Sequence, residues 1–398
     1  LPVAVTLGVS SFCYLVAADI PLVVMPQKMY AGMDVFVLLC IPGFILAGNL
    51  MNNGGITERI IRFANALVGW VRGGLGLTNV AASMLFGGIS GTAVADSASI
   101  GGVMIPGMKK AGYPASFAAA VTAASSTVGP IIPPSVPMII VGALSGISVG
   151  QMFLAGAVPG ILLGIAMLIT TYLIASRNNF PRQRWQGIRE VTKSFFGAFW
   201  ALIMSFLIIV GMISGLMTPT ETAVIACIYA TIVGVFFYRE LPLKAIPRII
   251  VDSAVSSAAI LVLVGFANVF GWILVSERIP QMIASAVLAI TENKFLVILL
   301  INLLLLFVGM FMDIISATMI LGPVFLPMLD AFGISWMHFG LILTVNLAIG
   351  YCTPPMGVSL YITGAIANKD LIYISKAVIP FIIIQMIVLF VITYIPDA

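Results

Sequence analysis

The chain carries two Pro-Pro pairs, Pro133-Pro134 and Pro354-Pro355, set 221 residues apart in otherwise apolar sequence. The same offset brings Gly88 onto Gly309, Gly101 onto Gly322, Val103 onto Val324, Pro106 onto Pro327, Gly112 onto Gly333, Gly129 onto Gly350 and Pro159 onto Pro380, without a gap. Eight of these nine identities are Gly or Pro, the residues that interrupt helices. An interrupted helix leaves main-chain donors and acceptors unbonded. At membrane depth that is tolerated only where the backbone faces protein or a water-filled cavity. Two apolar segments broken at matching places therefore point to a transport protein built from structural repeats, with its site at the breaks.

Composition sets the environment. Hydrophobic residues make up 61% and charged residues 8% of the 398, where an average soluble chain is about 25% charged. Apolar sequence fills 35–51, 75–105, 115–175, 196–217, 222–238, 254–276, 295–329, 335–366 and 371–396. A crossing takes about 20 helical residues, so roughly ten crossings plus shorter re-entrant pieces are expected. Cys13, Cys40, Cys227 and Cys352 stand alone in apolar segments and His338 is the one histidine. Neither a disulfide framework nor a transition-metal site is readable from that set. No nucleophile and base pair up, so an enzyme, a cofactor and a nucleic-acid partner are not expected.

The charges give an orientation. Arg177, Arg182, Arg184, Arg189 and Lys193 crowd one loop, and Arg239, Lys244 and Arg248 crowd another two apolar stretches later. Both loops then lie on one side, which the positive-inside rule makes cytoplasmic. Arg59, Arg62, Arg72, Lys109 and Lys110 fall on that side too, leaving Lys28, Arg278 and Lys294 for the outer face.

Residues 1–74 are expected to hold scaffold helices, at 5–25 and 35–51, and an amphipathic arm at 56–71. The arm places Ile60, Ala64, Leu67 and Val71 on one face and Glu58, Arg59 and Arg62 on another. Residues 75–175 form a first repeat: a hairpin at 75–110, a helix at 115–146 broken at Gly129–Ser135, and a return crossing. The first hairpin arm spans only about 22 Å at 1.5 Å per residue, too short to cross. Residues 176–253 hold the basic loop and further scaffold helices. Residues 254–398 repeat the plan, with a crossing at 254–276, a hairpin at 295–332, a broken helix at 335–366 and a terminal helix at 371–396. Counting crossings sends the two hairpins in from opposite sides, and Lys109 meets Asp330 in the offset. The fold class expected is an all-α polytopic membrane protein with two inverted repeats, re-entrant hairpins and broken helices.

The chemistry is expected at the hairpin tips. Asp96 and Asp313 fall there, and an intramembrane carboxylate is costly unless paired or solvated. Helix capping competes with a functional role, since each acid lies at the start of a helix. Ser90 and Thr92 near the first tip face the carbonyls freed between Gly129 and Pro134. Ser316 and Thr318 near the second face those between Gly350 and Thr353. Oxygen donors of this kind suit a hard cation. Sodium fits better than a proton relay, because few titratable groups lie between the tips. Helix N-termini after each tip suit an anionic substrate group. Ser125, Ser126 and Asn346, beside Pro133 and Pro355, are candidate substrate contacts; small-residue helix packing remains the alternative for the three polar ones. Glu221 is read as a cap for the helix that follows it.

Several segments resemble the large membrane subunit of the tripartite ATP-independent periplasmic (TRAP) transporters. They are Gly54-Gly55-Ile56-Thr57-Glu58-Arg59, Ser90-Gly91-Thr92-Ala93-Val94-Ala95-Asp96, Gly129-Pro130-Ile131-Ile132-Pro133-Pro134-Ser135, Pro219-Thr220-Glu221 and Thr353-Pro354-Pro355-Met356-Gly357. The resemblance covers nearly the whole chain and is closest in wording to sialic-acid members. It implies an elevator fold of the ion-transporter type, sodium coupling, and organic-acid uptake across the bacterial inner membrane. It also implies a small membrane subunit and a periplasmic substrate-binding protein as partners. Set against that family, the chain is expected to lack the first part of the large subunit's opening helix and the four-helix small subunit that some members carry fused. A stand-alone sodium/dicarboxylate carrier and an ion channel are the rival readings.

Overall fold

The computed structural model describes residues 3–291 and 293–395. Pro396, and the side chains of Pro327 and Asp330 with the expected Lys109–Asp330 correspondence, lie outside the described residues.

A frame opens the chain with α1 (Val3–Ala17), α2 (Val24–Met33), α3 (Cys40–Asn53, entered through a 3-10 turn at Phe36–Leu39) and α4 (Ile56–Val68). The single crossing expected at 5–25 is two helices. Asp19 takes a left-handed φ of 55°, which Asp tolerates, and Pro21 keeps the residue before it out of the helical region. The arm α4 is also not a free interfacial helix. Its Ile56, Ile60 and Ala64 are buried against the bundle, while Leu67 is exposed. Arg59 pairs with Glu240 and Arg62 with Glu190, each at 2.7 Å, so α4 is a strut docked on its neighbours.

The first repeat follows as a hairpin, α5 (Gly74–Ser90) and α6 (Ala93–Lys110). Its broken helix is α7 (Ala115–Ser125), one 3-10 turn at Ser126–Val128, irregular backbone, then α8 (Val136–Ser145). The long α9 (Val149–Arg177) leads to the basic loop. The frame resumes with α10 (Ile188–Ile213), α11 (Pro219–Ile232) and α12 (Ile246–Ser276). Thr218 and Glu221 form a reciprocal capping box at the start of α11, as read from sequence. The helix expected at 254–276 begins eight residues earlier, so a boundary at 253 falls inside α12.

The second half adds α13 (Ile279–Ile290), a short helix the sequence reading did not separate. The hairpin α14 (Lys294–Gly309) and α15 (Ile314–Ala331) comes next. The broken helix α16 (Trp336–Gly350) and α17 (Val358–Ala367) and the terminal α18 (Leu371–Tyr394) complete the chain. Six described stretches are long and apolar enough to cross a membrane, not the ten expected. Most of the remaining helices are hairpin arms and half-helices of 10–17 residues, and α6, with 18, carries Asp96, Lys109 and Lys110.

Packing ties the repeats crosswise. In each, the first hairpin arm lies on the first half of its own broken helix, α5 on α7 and α14 on α16. The second half crosses over: α8 packs on α15, and α17 packs on α6 and α7. Helices α1, α2 and α3 gather on α12, and α3 lies along α11. The frame thus wraps a central body of hairpins and broken helices.

Candidate ion and substrate site

The first tip rests on the first break. Gly91 closes the hairpin with a φ of 64°, and Pro134 O lies 2.4 Å from where a Cβ would stand. Only glycine combines that backbone with that approach. Thr92 caps α6, accepting from Ala95 N at 3.3 Å. Asp96 is therefore not the cap; it lies within the first turn of α6 and is fully buried. Its Oδ1 accepts a hydrogen bond from Ser90 Oγ. Its Oδ2 has no hydrogen-bond partner among the described residues, and it faces Gly129, 2.5 Å from the place of an added Cβ. At the break Ser135 caps α8, accepting from Met138 N at 3.2 Å, while its hydroxyl donates to Pro130 O. No backbone hydrogen bond ends on Gly129 O or Pro134 O among the described residues. Ser90, Thr92, Asp96, Gly129, Pro134 and the buried Pro133 are thus brought together.

The second tip is built differently. Asp313 does cap its helix: Oδ2 accepts from Ser316 N at 2.9 Å, and Oδ1 from Ser316 Oγ. It opens on a separate cavity of about 410 Å³ shared with α1 and α12. Gly350 O already accepts from Thr353 N at 3.0 Å, and the Thr353 hydroxyl donates to Ile349 O at 2.8 Å. These two groups are less available to a cation than the sequence reading supposed, because the chain after Gly350 turns back on its own helix end. Thr318 is buried, with its hydroxyl unpartnered among the described residues. Tyr351, which sequence reasoning passed over, accepts from Ile314 N at 3.2 Å and joins the second tip to its break.

The three polar substrate candidates, Ser125, Ser126 and Asn346, are fully buried. Ser125 bonds Ser83 at 2.9 Å and Asn79 at 3.3 Å. Asn346, which falls on Ser125 at the 221-residue offset, donates to Asn302 Oδ1 at 2.7 Å and to Asn302 O at 2.9 Å. Ser125 is a buried clasp between a hairpin arm and a half-helix, the packing role left open above; Asn346 clasps through its amide, while its buried Oδ1 has no partner among the described residues. Ser126 is equally buried, accepting from Ser97 at 2.8 Å and donating to Ser359 of α17 at 3.1 Å. Pro355 is exposed at the surface, away from the cavity. Gln385 on α18, missed in the sequence, is fully buried. Its amide donates to Ala124 O and Thr127 Oγ1, each at 2.9 Å, and it accepts from Cys352 Sγ at 3.3 Å. A lone Gln in an apolar helix was the available signal. It links the two breaks.

A cavity of about 380 Å³ lies between the frame and the tips. Asn49 and Asn52 of α3 and Ser256 of α12 form one wall; Ser90, Thr92, Ser99 and Tyr351 supply polar groups on the other. Ala93 and Val94 bring the N-terminus of α6 to its surface. Among the described residues no Lys, Arg or His lines it. An anion there would meet helix-end N–H groups, amides and hydroxyls. Among the described residues no cluster of His, Cys, Asp and Glu could hold a metal ion.

The family model for the DctM component of tripartite ATP-independent periplasmic transporters matches residues 1–398. The chain belongs to that family. It is 40% identical over 371 residues to the sialic acid TRAP transporter large permease protein SiaM of Vibrio cholerae, covering 93% of this chain and 87% of that protein. The C4-dicarboxylate large permease DctM of Pseudomonas aeruginosa is 37% identical, covering 93% and 86%. The 2,3-diketo-L-gulonate large permease YiaN of Escherichia coli is 36% identical, covering 94% and 88%. In structure the chain is similar to the YdaH transporter of Alcanivorax borkumensis, with a TM-score of 0.61 at 16% identity, covering 91% of this chain and 87% of that one. The chain is a multi-pass TRAP large permease.

Proposed function

We propose that this permease carries an organic acid, coupled to sodium, across a bacterial inner membrane. Its substrate arrives on a periplasmic binding protein, and a small membrane subunit completes the complex. A sialic acid or related acid sugar is the preferred cargo, and a C4-dicarboxylate is the second choice. The observation that carries the ion reading is Asp96: a buried carboxylate with one unpartnered oxygen, set against Gly129 at a break with free carbonyls. A cation there would offset the cost of burying that charge. The cavity without a cationic side chain fits a singly charged, hydroxyl-rich acid better than a dianion. The crosswise packing and the Ser126–Ser359 and Gln385 bonds support motion of the central body as one unit against the frame, an elevator.

Reconstitution in proteoliposomes tests this. Uptake of N-acetylneuraminate and of succinate is measured while sodium, binding protein and small subunit are varied independently. The expected result is uptake that requires an inward sodium gradient and substrate-loaded binding protein. Equal uptake of free substrate without the binding protein would establish the stand-alone carrier, and uptake indifferent to sodium would remove the ion assignment.

A further inference from the structure

A second crevice lies between the frame and the central body, at the other end of α12. It encloses about 310 Å³ and is lined by Lys28 of α2, Asn268 and Trp272 of α12, Leu144 of α8, and Met319 and Pro323 of α15. A neighbouring space of about 210 Å³ shares Ala31, Leu144, Asn268 and Met319 with it. The Lys28 ammonium stands 5.3 Å from the centre of the Trp272 ring. Apart from that ring, neither the ammonium nor the Asn268 amide has a bonded partner among the described residues. Gly32 makes the room, since a Cβ there would come within 2.4 Å of Asn268 Cβ. Two sets of free donors thus face one partly apolar space, with an aromatic face steadying the cation.

Position gives the crevice its meaning. Trp272 is roughly 36 Å along α12 from Arg248 at 1.5 Å per residue, which puts the two at opposite membrane faces. Ser256, in the wall of the central cavity, lies roughly 18 Å before Asn268 on the same helix. The frame therefore offers one polar station near its basic end, Asn49 with Ser256, and another near its outer end, Lys28 with Asn268.

We propose that Lys28 and Asn268 form an outer station that binds the carboxylate of the transported acid. This rests on the reading of the chain as an acid transporter whose central body moves along the frame. Lys28 supplies the cationic group that the central cavity lacks, in a charge-assisted hydrogen bond. The acid would meet it on the outer side and leave it as the tips carry the acid inward. A phospholipid headgroup has a similar anionic chemistry and is the source to be distinguished.

The test uses the assembled transporter with Lys28→Met and Lys28→Arg. In proteoliposomes, Lys28→Met is expected to raise the half-saturation for uptake from outside by roughly tenfold, the scale of one charge-assisted contact. Half-saturation for efflux from loaded vesicles should stay unchanged, and Lys28→Arg should behave nearly as the parent. An unaltered outside value, or an equal rise on both sides, would overturn the assignment. A defect that follows the anionic-lipid content of the vesicles rather than acid concentration would assign the site to lipid instead. Tryptophan emission gives a readout without transport. N-acetylneuraminate or succinate should produce a saturable change that Trp272→Phe abolishes and Lys28→Met weakens by roughly tenfold. No Trp272-dependent change with either acid overturns the station even where uptake proceeds. Binding without sodium-coupled uptake would fault the transport reading alone.

Discussion

Replacing Asp96 with Asn removes a charge while keeping the side chain's shape, and so separates an ion site from a packing role. In the structure the carboxylate is fully buried and receives one hydrogen bond, from Ser90. Burying an ionised carboxylate costs several kcal/mol, and one bond to a charged group returns about 1.5–3 kcal/mol. On the proposed reading a cation at Oδ2 supplies the remainder. An Asn oxygen can still accept from Ser90, but its amide would point donors at the place beside Gly129 where the proposed cation would sit. Asp96→Asn is thus expected to fold and to be at least as stable as the parent without sodium. Sodium at a hundredfold above its dissociation constant should stabilise the parent by about 2.7 kcal/mol, seen as a rise in unfolding temperature of the detergent-solubilised complex. Choline at equal ionic strength should not reproduce it. In Asp96→Asn the sodium-specific rise should vanish. Gly129→Ala should do the same, because its Cβ would stand 2.5 Å from Oδ2 and displace the carboxylate. If Asp96→Asn kept both the size and the half-saturation of the sodium effect, the ion assignment at this tip would fail.

Asp313→Ala should remain inserted and folded, since a lost cap costs about 0.5–2 kcal/mol, yet lose sodium-driven uptake; normal transport would leave Asp313 as a cap only. Pro133-Pro134→Ala-Ala removes about 3 kcal/mol of helix penalty per residue. It should extend the half-helix, draw the Gly129 and Pro134 carbonyls into helical bonds and raise half-saturating sodium; an unchanged sodium curve with a lower maximum would count against carbonyl coordination. Ser125→Ala and Asn346→Leu should each lower unfolding stability by about 0.6–2 kcal/mol, the range for buried interhelical hydrogen bonds in membranes. Neither should change the half-saturation for substrate, and a selective change there would return these residues to the substrate site.

Breaks, tips and the repeat were legible because each depends on local chemistry. Proline removes a donor whatever surrounds it, glycine favours the left-handed φ of Gly91, and helix length follows from counting residues. From those, the sequence determined an all-helical membrane chain with two hairpins and two broken helices, and it picked out Asp96 and Gly129 before they were seen to touch. Which polar groups face one another is a long-range matter. Ser125, Asn346, Asp96 and Asp313 look alike as polar residues in apolar sequence, yet Ser125 is bonded to Asn79 and Ser83, and Asn346 gives its amide to Asn302 while its Oδ1 has no partner among the described residues. Of the two carboxylates, Asp313 is bonded by Ser316 through both oxygens, and Asp96 keeps one oxygen unpartnered in a fully buried place. The cavity wall from Asn49, Asn52 and Ser256, the Gln385 link and the Lys28 crevice arise where helices distant in sequence meet. Hydrogen-bond donors and acceptors are satisfied by whichever partner the packing brings within about 3 Å, so only the tertiary structure decided which of them remain for a ligand.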